Sequence, residues 1–262
     1  MNVFSIVIVA KDAAAKIGRL LESVNGLTDD LIVCDTGSTD NTIPIAQKMG
    51  AKVYSIPWEG YGKSKNAAIA FAKHDWILSL DSDEKVDLVL YKSLNEWKPD
   101  KENVVYRVIW KNFLGEKWIR YGEWSGGWKN RLFNKKLVCW DHAIAHEDIT
   151  SSHQLSYHKL YGYLEHYSFD DILHYYSKII HSAMITAQEH HSRGEKAFLV
   201  KMMFSPMLGF LSGYFFRLGF LDGFKGWVVA KTSAYYRFIK YARLYELNSK
   251  KKKSINRNSD EK

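Results

Sequence analysis

The chain has 262 residues, 46% of them hydrophobic and 15% aromatic, which suffices for a substantial core and excludes global disorder. A formal charge of +8 points to an anionic partner without saying which anion. The two cysteines, Cys34 and Cys139, lack metal-ligand spacing and suit a reducing compartment better than a disulfide scaffold.

The first hundred residues alternate in type. Val3 to Val9 reads as a strand with no basic leader before it, so no secretory signal is expected. Ile17, Leu20, Leu21 and Val24 recur at helical spacing over residues 14–24. Leu31 to Cys34 reads as a strand ending at Asp35, and Thr42 to Met49 as a helix behind several possible N-caps. Ala51 to Ile56 is a third strand, Lys65 to Lys73 an alanine-rich helix, and Trp76 to Leu80 a buried strand. Strands and helices taking turns imply βαβ units and a mostly parallel sheet. The right-handed crossover rule then puts the Asp35 loop and the end of the Trp76 strand on one edge.

That last strand stops in three carboxylates, Asp81, Asp83 and Glu84. Like charges at close range raise one another's pKa and cost stability, a conflict that a bound hard cation with oxygen ligands would remove. The plainer reading is a solvated turn. Position favours the cation, because open α/β sheets bind ligands at the carboxyl ends of their strands. Asp35, at another such end, could accept hydrogen bonds from a base or ribose, whereas Asp40 reads as a helix cap. Gly60 to Asn66 carries two glycines and two lysines that suit a phosphate, but the P-loop spacing is absent and ATP hydrolysis is not expected.

From 103 to about 167 the pattern is mixed β, with short pieces at Val104 to Trp110, Arg131 to Phe133 and Leu155 to Leu160. Ser168 followed by Asp171 looks like a capping box, and helices continue to about Leu247. Met202 to Phe216 is the longest apolar stretch, bounded by Lys201 and Arg217 and interrupted by Pro206, short for a membrane span. Aromatic and basic residues from Phe198 to Arg243 suit helices lying in a membrane interface; a helical hairpin packed on the domain is the alternative. Lys250 to Lys253 open a tail expected to be disordered.

In order along the chain, SIVIVAKD (5–12), LIVCDTGSTDNT (31–42), PWEGYGKSKNAA (57–68), DWILSLDSDE (75–84), GGWKNRLFNKK (126–136), AHE (145–147) and LEHYSF (164–169) resemble the family 2 glycosyltransferases. They look closest to the branch that adds sugars to the lipopolysaccharide inner core. The resemblance implies an α/β, GT-A (Rossmann-like, mostly parallel sheet) domain over 1–167, with a nucleotide-sugar half at 1–100 and a mixed β acceptor half at 101–167. A C-terminal helical extension at 168–247 and a basic tail at 248–262 would follow.

It also implies roles. Lys11, Asp12 and Asp35 would hold base and ribose, and Lys65 would sit near the diphosphate. Asp81 and Asp83 form the D-x-D that carries a divalent cation (Mg or Mn), with His166 completing the metal shell. Gly126, Gly127 and Trp128 would face the acceptor. Glu147 is the implied base, with Asp148 a second candidate because the motif reads His-Glu-Asp. Asp12 stands where asparagine is commoner, which should alter base contacts more than chemistry.

The implied reaction is inverting transfer of a hexose, glucose from UDP-glucose, to an inner-core sugar. The acceptor would be a lipid-linked oligosaccharide, met at the cytoplasmic face of the bacterial inner membrane through peripheral contact by the C-terminal helices. Transfer to a polyprenyl phosphate is the nearer alternative. A non-catalytic protein binding nucleic acid or anionic lipid is the rival from another class. It leaves the carboxylate cluster unexplained, and no nucleic-acid partner is expected.

Overall fold

The computed structural model describes residues 3–141 and 148–260, with side chains described as far as residue 249. The chain divides into two compact units, 1–111 with 127–168, and 112–126 with 169–262. The segment 112–126, expected within the acceptor half, therefore belongs with the helices.

In unit 1 the alternation seen in the sequence is real. The strands are β1 (Phe4–Ala10), β2 (Leu31–Asp35), β3 (Lys52–Ser55) and β4 (Trp76–Asp81), interleaved with α1 (Ala14–Ser23), α2 (Thr42–Lys48) and α3 (Tyr61–Ile69). After them come β5 (Glu84–Val86), α4 (Leu88–Asn95), β6 (Val104–Leu114), β7 (Lys117–Trp118), β8 (Trp128–Asn134), β9 (Cys139–Trp140), β10 (Ile149–Thr150) and β11 (Ser156–Phe169). The main sheet runs β3-β2-β1-β4-β8-β6-β11-β5. Strands β1 to β4 are parallel, while β4/β8, β8/β6 and β11/β5 pair antiparallel, so the sheet is parallel in its first half and mixed in its second. This is the fold class that the motifs imply.

Apolar residues on both faces of β1 and β4 explain their uninterrupted hydrophobic runs. One core holds Phe4, Ile6, Ile8 and Leu78 under α1 and α4, and the other holds Val7, Ile32 and Ile77 under α3. Helix α3 begins at Tyr61, a turn before the expected start, so Lys65 lies inside the helix rather than at its mouth. Strand β11 continues to Phe169, well past the expected end, because Leu160 and Leu164 extend its buried face. It passes α4 at Gly162, where φ is +98° and a Cβ would lie 2.1 Å from the Leu90 nitrogen.

Unit 2 consists of the end of β6 paired with β7, a 3-10 turn at Gly122–Trp124, and the helices α5 (Ile172–Ser192), α6 (Leu199–Leu211) and α7 (Gly223–Asp260). Asp171 caps α5 itself, accepting the His174 N–H at 2.7 Å, instead of sitting three residues inside a box opened by Ser168. Helix α7 is continuous through the lysine run to Asp260; lysine is a good helix former and does not end it, contrary to the expected break near 248. Leu114, Ile119, Tyr175, Val228 and Val229 form the local core. The buried Asp222 carboxylate accepts the N–H groups of Arg120 at 2.9 Å and Tyr121 at 2.8 Å. Beyond Pro206, α6 loosens into a π turn at Ser212–Phe216. The window Leu199–Phe216 has a mean hydropathy of 1.3 and is only 11% buried, long and apolar enough to cross a membrane by length and composition, with Lys201 inside it.

Candidate active site

Parallel pairing sets the edge on which the carboxylates gather. Asp35 is level with Ala10 on one side of β1 and Asp81 is level with Val9 on the other. The loops after β2 and β4 thus open beside one another at the carboxyl edge, as the crossover rule requires.

The charge conflict at the end of β4 is met by protein cations. Asp81 Oδ1 lies 2.7 Å from Lys65 Nζ, and Asp81 Oδ2 lies 2.7 Å from an Arg131 Nη. The same guanidinium nitrogen donates at 2.5 Å to Glu84 Oε1, which also accepts the Trp110 indole N–H at 2.6 Å. Glu84 Oε2 accepts the Asp81 backbone N–H at 2.8 Å. Burial works to raise the Asp81 pKa, but Arg131 and Lys65 outweigh it and hold the carboxyl well below its ordinary range. Burial pushes Glu84 up to about 7, against the pull of Arg131 and helped by the neighbouring Asp81 charge. Glu84, 1% exposed, thus holds together β4, β6 and β8.

Asp83 faces differently. Its Oδ2 accepts a hydrogen bond from Ser168 Oγ at 3.2 Å, and its Oδ1 lies 3.5 Å from His166 Nε2. His166 stacks on Trp110 with ring centroids 4.0 Å apart. Burial lowers the His166 pKa more than Asp83 raises it, leaving a neutral imidazole at neutral pH, the form that ligates metals.

Of the three expected metal ligands, then, Asp83 and His166 converge, while Asp81 turns both oxygens to Lys65 and Arg131. Among the described residues no group of three or more His, Cys, Asp or Glu side chains could enclose a metal ion. The donor set still suits a hard cation, since such ions are commonly held by one or two carboxylates plus substrate phosphates. Lys65, expected near a diphosphate, is 4% exposed and occupied with Asp81, its ammonium 4.5 Å from the Trp140 ring centroid.

The loop after β2 is self-braced. Asp35 is buried and accepts the N–H groups of Gly37 and Ser38, both at 2.9 Å, and the Ser38 hydroxyl. Asp12 adopts φ 46° and accepts the Thr39 N–H at 2.8 Å, a left-handed conformation that aspartate tolerates better than most residues. Asp40 accepts the Ala14 N–H at 3.0 Å and the Thr42 N–H at 2.9 Å, the structural role expected of it. Lys11 is exposed at the loop's rim. These carboxylates shape the loop, leaving Lys11 and the loop backbone to meet a ligand.

Of the residues expected to face an acceptor, Gly126 has φ +91°, Gly127 accepts the Trp110 N–H at 3.0 Å, and Trp128 opens β8 with 39% of its surface exposed. The base candidate Glu147 lies outside the described residues. Asp148 is exposed; its Oδ1 accepts Asn130 Nδ2 at 2.7 Å and its own neighbour's N–H, that of Ile149, at 2.8 Å.

The model of the family described as Glycosyl transferase family 2 matches residues 5–158. The chain belongs to that family. It is 29% identical over 256 residues to a glycosyltransferase of Rickettsia bellii, covering 92% of this chain and 85% of that one. It is 25% identical over 263 residues to the lipopolysaccharide core biosynthesis glycosyltransferase LpsC of Rhizobium meliloti, covering 93% and 92%. Among solved structures, glucosyl-3-phosphoglycerate synthase of Mycobacterium tuberculosis, in complex with Mn2+, UDP and glucosyl-3-phosphoglycerate, matches with a TM-score of 0.32 and 28% identity over 43% of this chain and 44% of that one. The chain thus spans less than half of that structure.

Sequence reasoning passed over two residues of this family 2 glycosyltransferase, Arg131 and Trp110. Arg131 was visible as the first residue of the Arg131 to Phe133 piece, and an inward-facing cation is the expected complement of a buried carboxylate cluster. Trp110 carried no such signal, because its indole N–H finds Glu84 only once β6 and β8 are paired.

Proposed function

We propose that this glycosyltransferase moves a hexose, glucose from UDP-glucose, onto a sugar of the lipopolysaccharide inner core, with inversion and with a divalent cation (Mg or Mn). The observation that carries the reading is the Asp83–His166 pair at the sheet's carboxyl edge, beside the braced 35–42 loop. The near full-length similarity to LpsC supports the acceptor class. Asp83 and His166 would hold the cation, which when bound offsets the charge of the diphosphate leaving group. Lys65 and Arg131 clamp Asp81 and so keep the end of β4 in place for Asp83. Glu147 or Asp148 takes the proton from the attacking hydroxyl.

The acceptor in this reading is lipid-linked, and contact with the cytoplasmic face of the inner membrane is peripheral. Supporting it, unit 2 exposes Phe198, Leu199, Val200, Met203, Met207 and Phe216, each at least 51% accessible, and exposed apolar surface of this kind marks protein or membrane contacts. Lys201 lies within that stretch and Arg217 follows it, as expected for an interfacial helix on anionic lipid. The test is radiolabelled transfer from UDP-glucose to inner-core lipid acceptors in vesicles. Transfer that requires Mg or Mn supports the reading, and absence of transfer with every nucleoside-diphosphate hexose contradicts it.

A further inference from the structure

We infer that Trp110 is a positioning residue for the cation site: its indole fixes the ring plane of His166 and so keeps the imidazole Nε2 aimed at Asp83. The inference rests on reading Asp83 and His166 as the residues that would hold a divalent cation. It adds to them a side chain that acts through His166 and touches neither cation nor substrate.

A histidine ligates well only when its ring is held at one angle, and proteins usually hold it by a hydrogen bond to the second ring nitrogen. His166 also has a flat surface to rest on. Its ring lies 18° from the Trp110 plane with centroids 4.0 Å apart, a parallel stack. In that pose Nε2 is 3.5 Å from Asp83 Oδ1 and 2.6 Å from Ser168 Oγ. The same hydroxyl donates to Asp83 Oδ2 at 3.2 Å, so imidazole and carboxylate converge on one point. Turning the ring about χ2 tilts the plane that contains the Nε2 lone pair, and the stack resists that turn.

Trp110 can serve as a reference plane because it is itself fixed on several sides. Its indole N–H donates to Glu84 Oε1 at 2.6 Å, and its backbone N–H donates to the Gly127 carbonyl at 3.0 Å. Lys129 Nζ and Arg131 Cζ lie 4.3 Å and 5.3 Å from its ring centroid. Glu84 in turn takes Arg131 and the Asp81 backbone N–H. His166 is level with Glu84 across the β11/β5 pair, so one indole bonds the first and stacks on the second. A buried indole N–H seeks an acceptor wherever it lies, so the bond to Glu84 alone assigns no role. The stack on His166 is what space-filling does not require. Together the two contacts link the clamped end of β4 to the histidine on β11.

The test is calorimetric titration of UDP, with and without Mn, into the full-length parent, His166→Ala, Trp110→Met, Trp110→Phe and the double variant His166→Ala/Trp110→Met. Methionine fills much of the space but offers no plane. Mn should tighten UDP binding to the parent by about tenfold or more, and Trp110→Met should lose most of that gain while UDP binding without Mn stays within about twofold. In the His166→Ala background, Trp110→Met should cause no further loss of the Mn gain, since its effect passes through the missing ring. Trp110→Phe keeps a ring but not the N–H that fixes its plane, and should lose about threefold. A purely structural role would lower the melting temperature and leave the Mn gain in place. A full Mn gain in Trp110→Met, a further loss in the double variant, or a Trp110→Phe that matches the parent or loses the whole gain would each overturn the inference, and the Phe variant decides if the Met variant does not fold. A parent that responds to Mn, with His166→Ala impaired and Trp110→Met unimpaired, overturns this inference alone. A parent and His166→Ala that respond alike contradict the cation reading beneath it.

Discussion

Arg131 on β8 sits 2.7 Å from Asp81 at the end of β4, and the same nitrogen serves Glu84. One guanidinium therefore holds together two carboxylates that would otherwise repel, one of them (Glu84) buried and the other (Asp81) partly exposed. The cation sought from the sequence as the remedy for this repulsion is, for these two groups, part of the chain.

Removing that cation should be severe. Arg131→Met leaves the buried Glu84 without its cation, beside an Asp81 that keeps Lys65, and breaking a buried pair in this way typically costs ~3–5 kcal/mol. Chemical denaturation should show that loss. Arg131→Lys should recover only part of it, because lysine is shorter and gives up the planar guanidinium that lies over the Trp110 ring.

Gly162 has no room for a side chain. An alanine Cβ there would lie 2.1 Å from the Leu90 nitrogen and 2.6 Å from its Cα, with φ at +98°. Gly162→Ala should lower stability by roughly 3 kcal/mol or prevent folding, since neither α4 nor β11 can give way without losing its core contacts. Thermal melts of the purified variant, or its recovery in inclusion bodies, would decide.

Acid sensitivity should trace in part to Asp30. Its buried carboxylate accepts Ser5 Oγ at 2.6 Å, the Lys73 N–H at 2.8 Å and Lys52 Nζ at 2.7 Å. Burial works to raise its pKa, yet these donors hold it below its ordinary value. A carboxylate whose folded pKa is depressed adds stability that is complete above its unfolded pKa and vanishes as pH falls through the folded one. Asp30→Asn should therefore cost ~2 kcal/mol near pH 7, with the gap to the parent closing below about pH 4. A gap independent of pH would contradict this account.

The base can be assigned by a pair of substitutions. Glu147→Gln should lower turnover by about 10²- to 10⁴-fold with UDP binding intact, the usual contribution of a general base. Asp148→Asn should then have a milder effect, through Asn130. If the two variants exchange behaviour, Asp148 is the base.

The sheet was legible because its signals are local: uninterrupted apolar runs in β1 and β4, helical spacing at Ile17, Leu20 and Leu21, and carboxylates at strand ends. Asp81 and Asp83 could be placed at the end of a strand for the same reason. What could not be read was pairing between distant strands. Arg131 is 50 residues from Asp81, and only the β4/β8 register brings them together. The same limit hid the partner of Lys65, whose neighbours in sequence suggest a phosphate while its neighbour in space is Asp81. Likewise the 112–126 segment looks like acceptor-half β structure, yet the buried Asp222 holds its Arg120 and Tyr121 N–H groups in unit 2.

The most direct test of the catalytic reading is calorimetric titration of UDP into the parent protein and Asp83→Asn, with and without Mn. The account predicts that Mn tightens UDP binding to the parent at least tenfold, and that Asp83→Asn abolishes the gain while its melting temperature without ligand stays unchanged. UDP binding that ignores Mn in the parent, or a full Mn effect in Asp83→Asn, would contradict it.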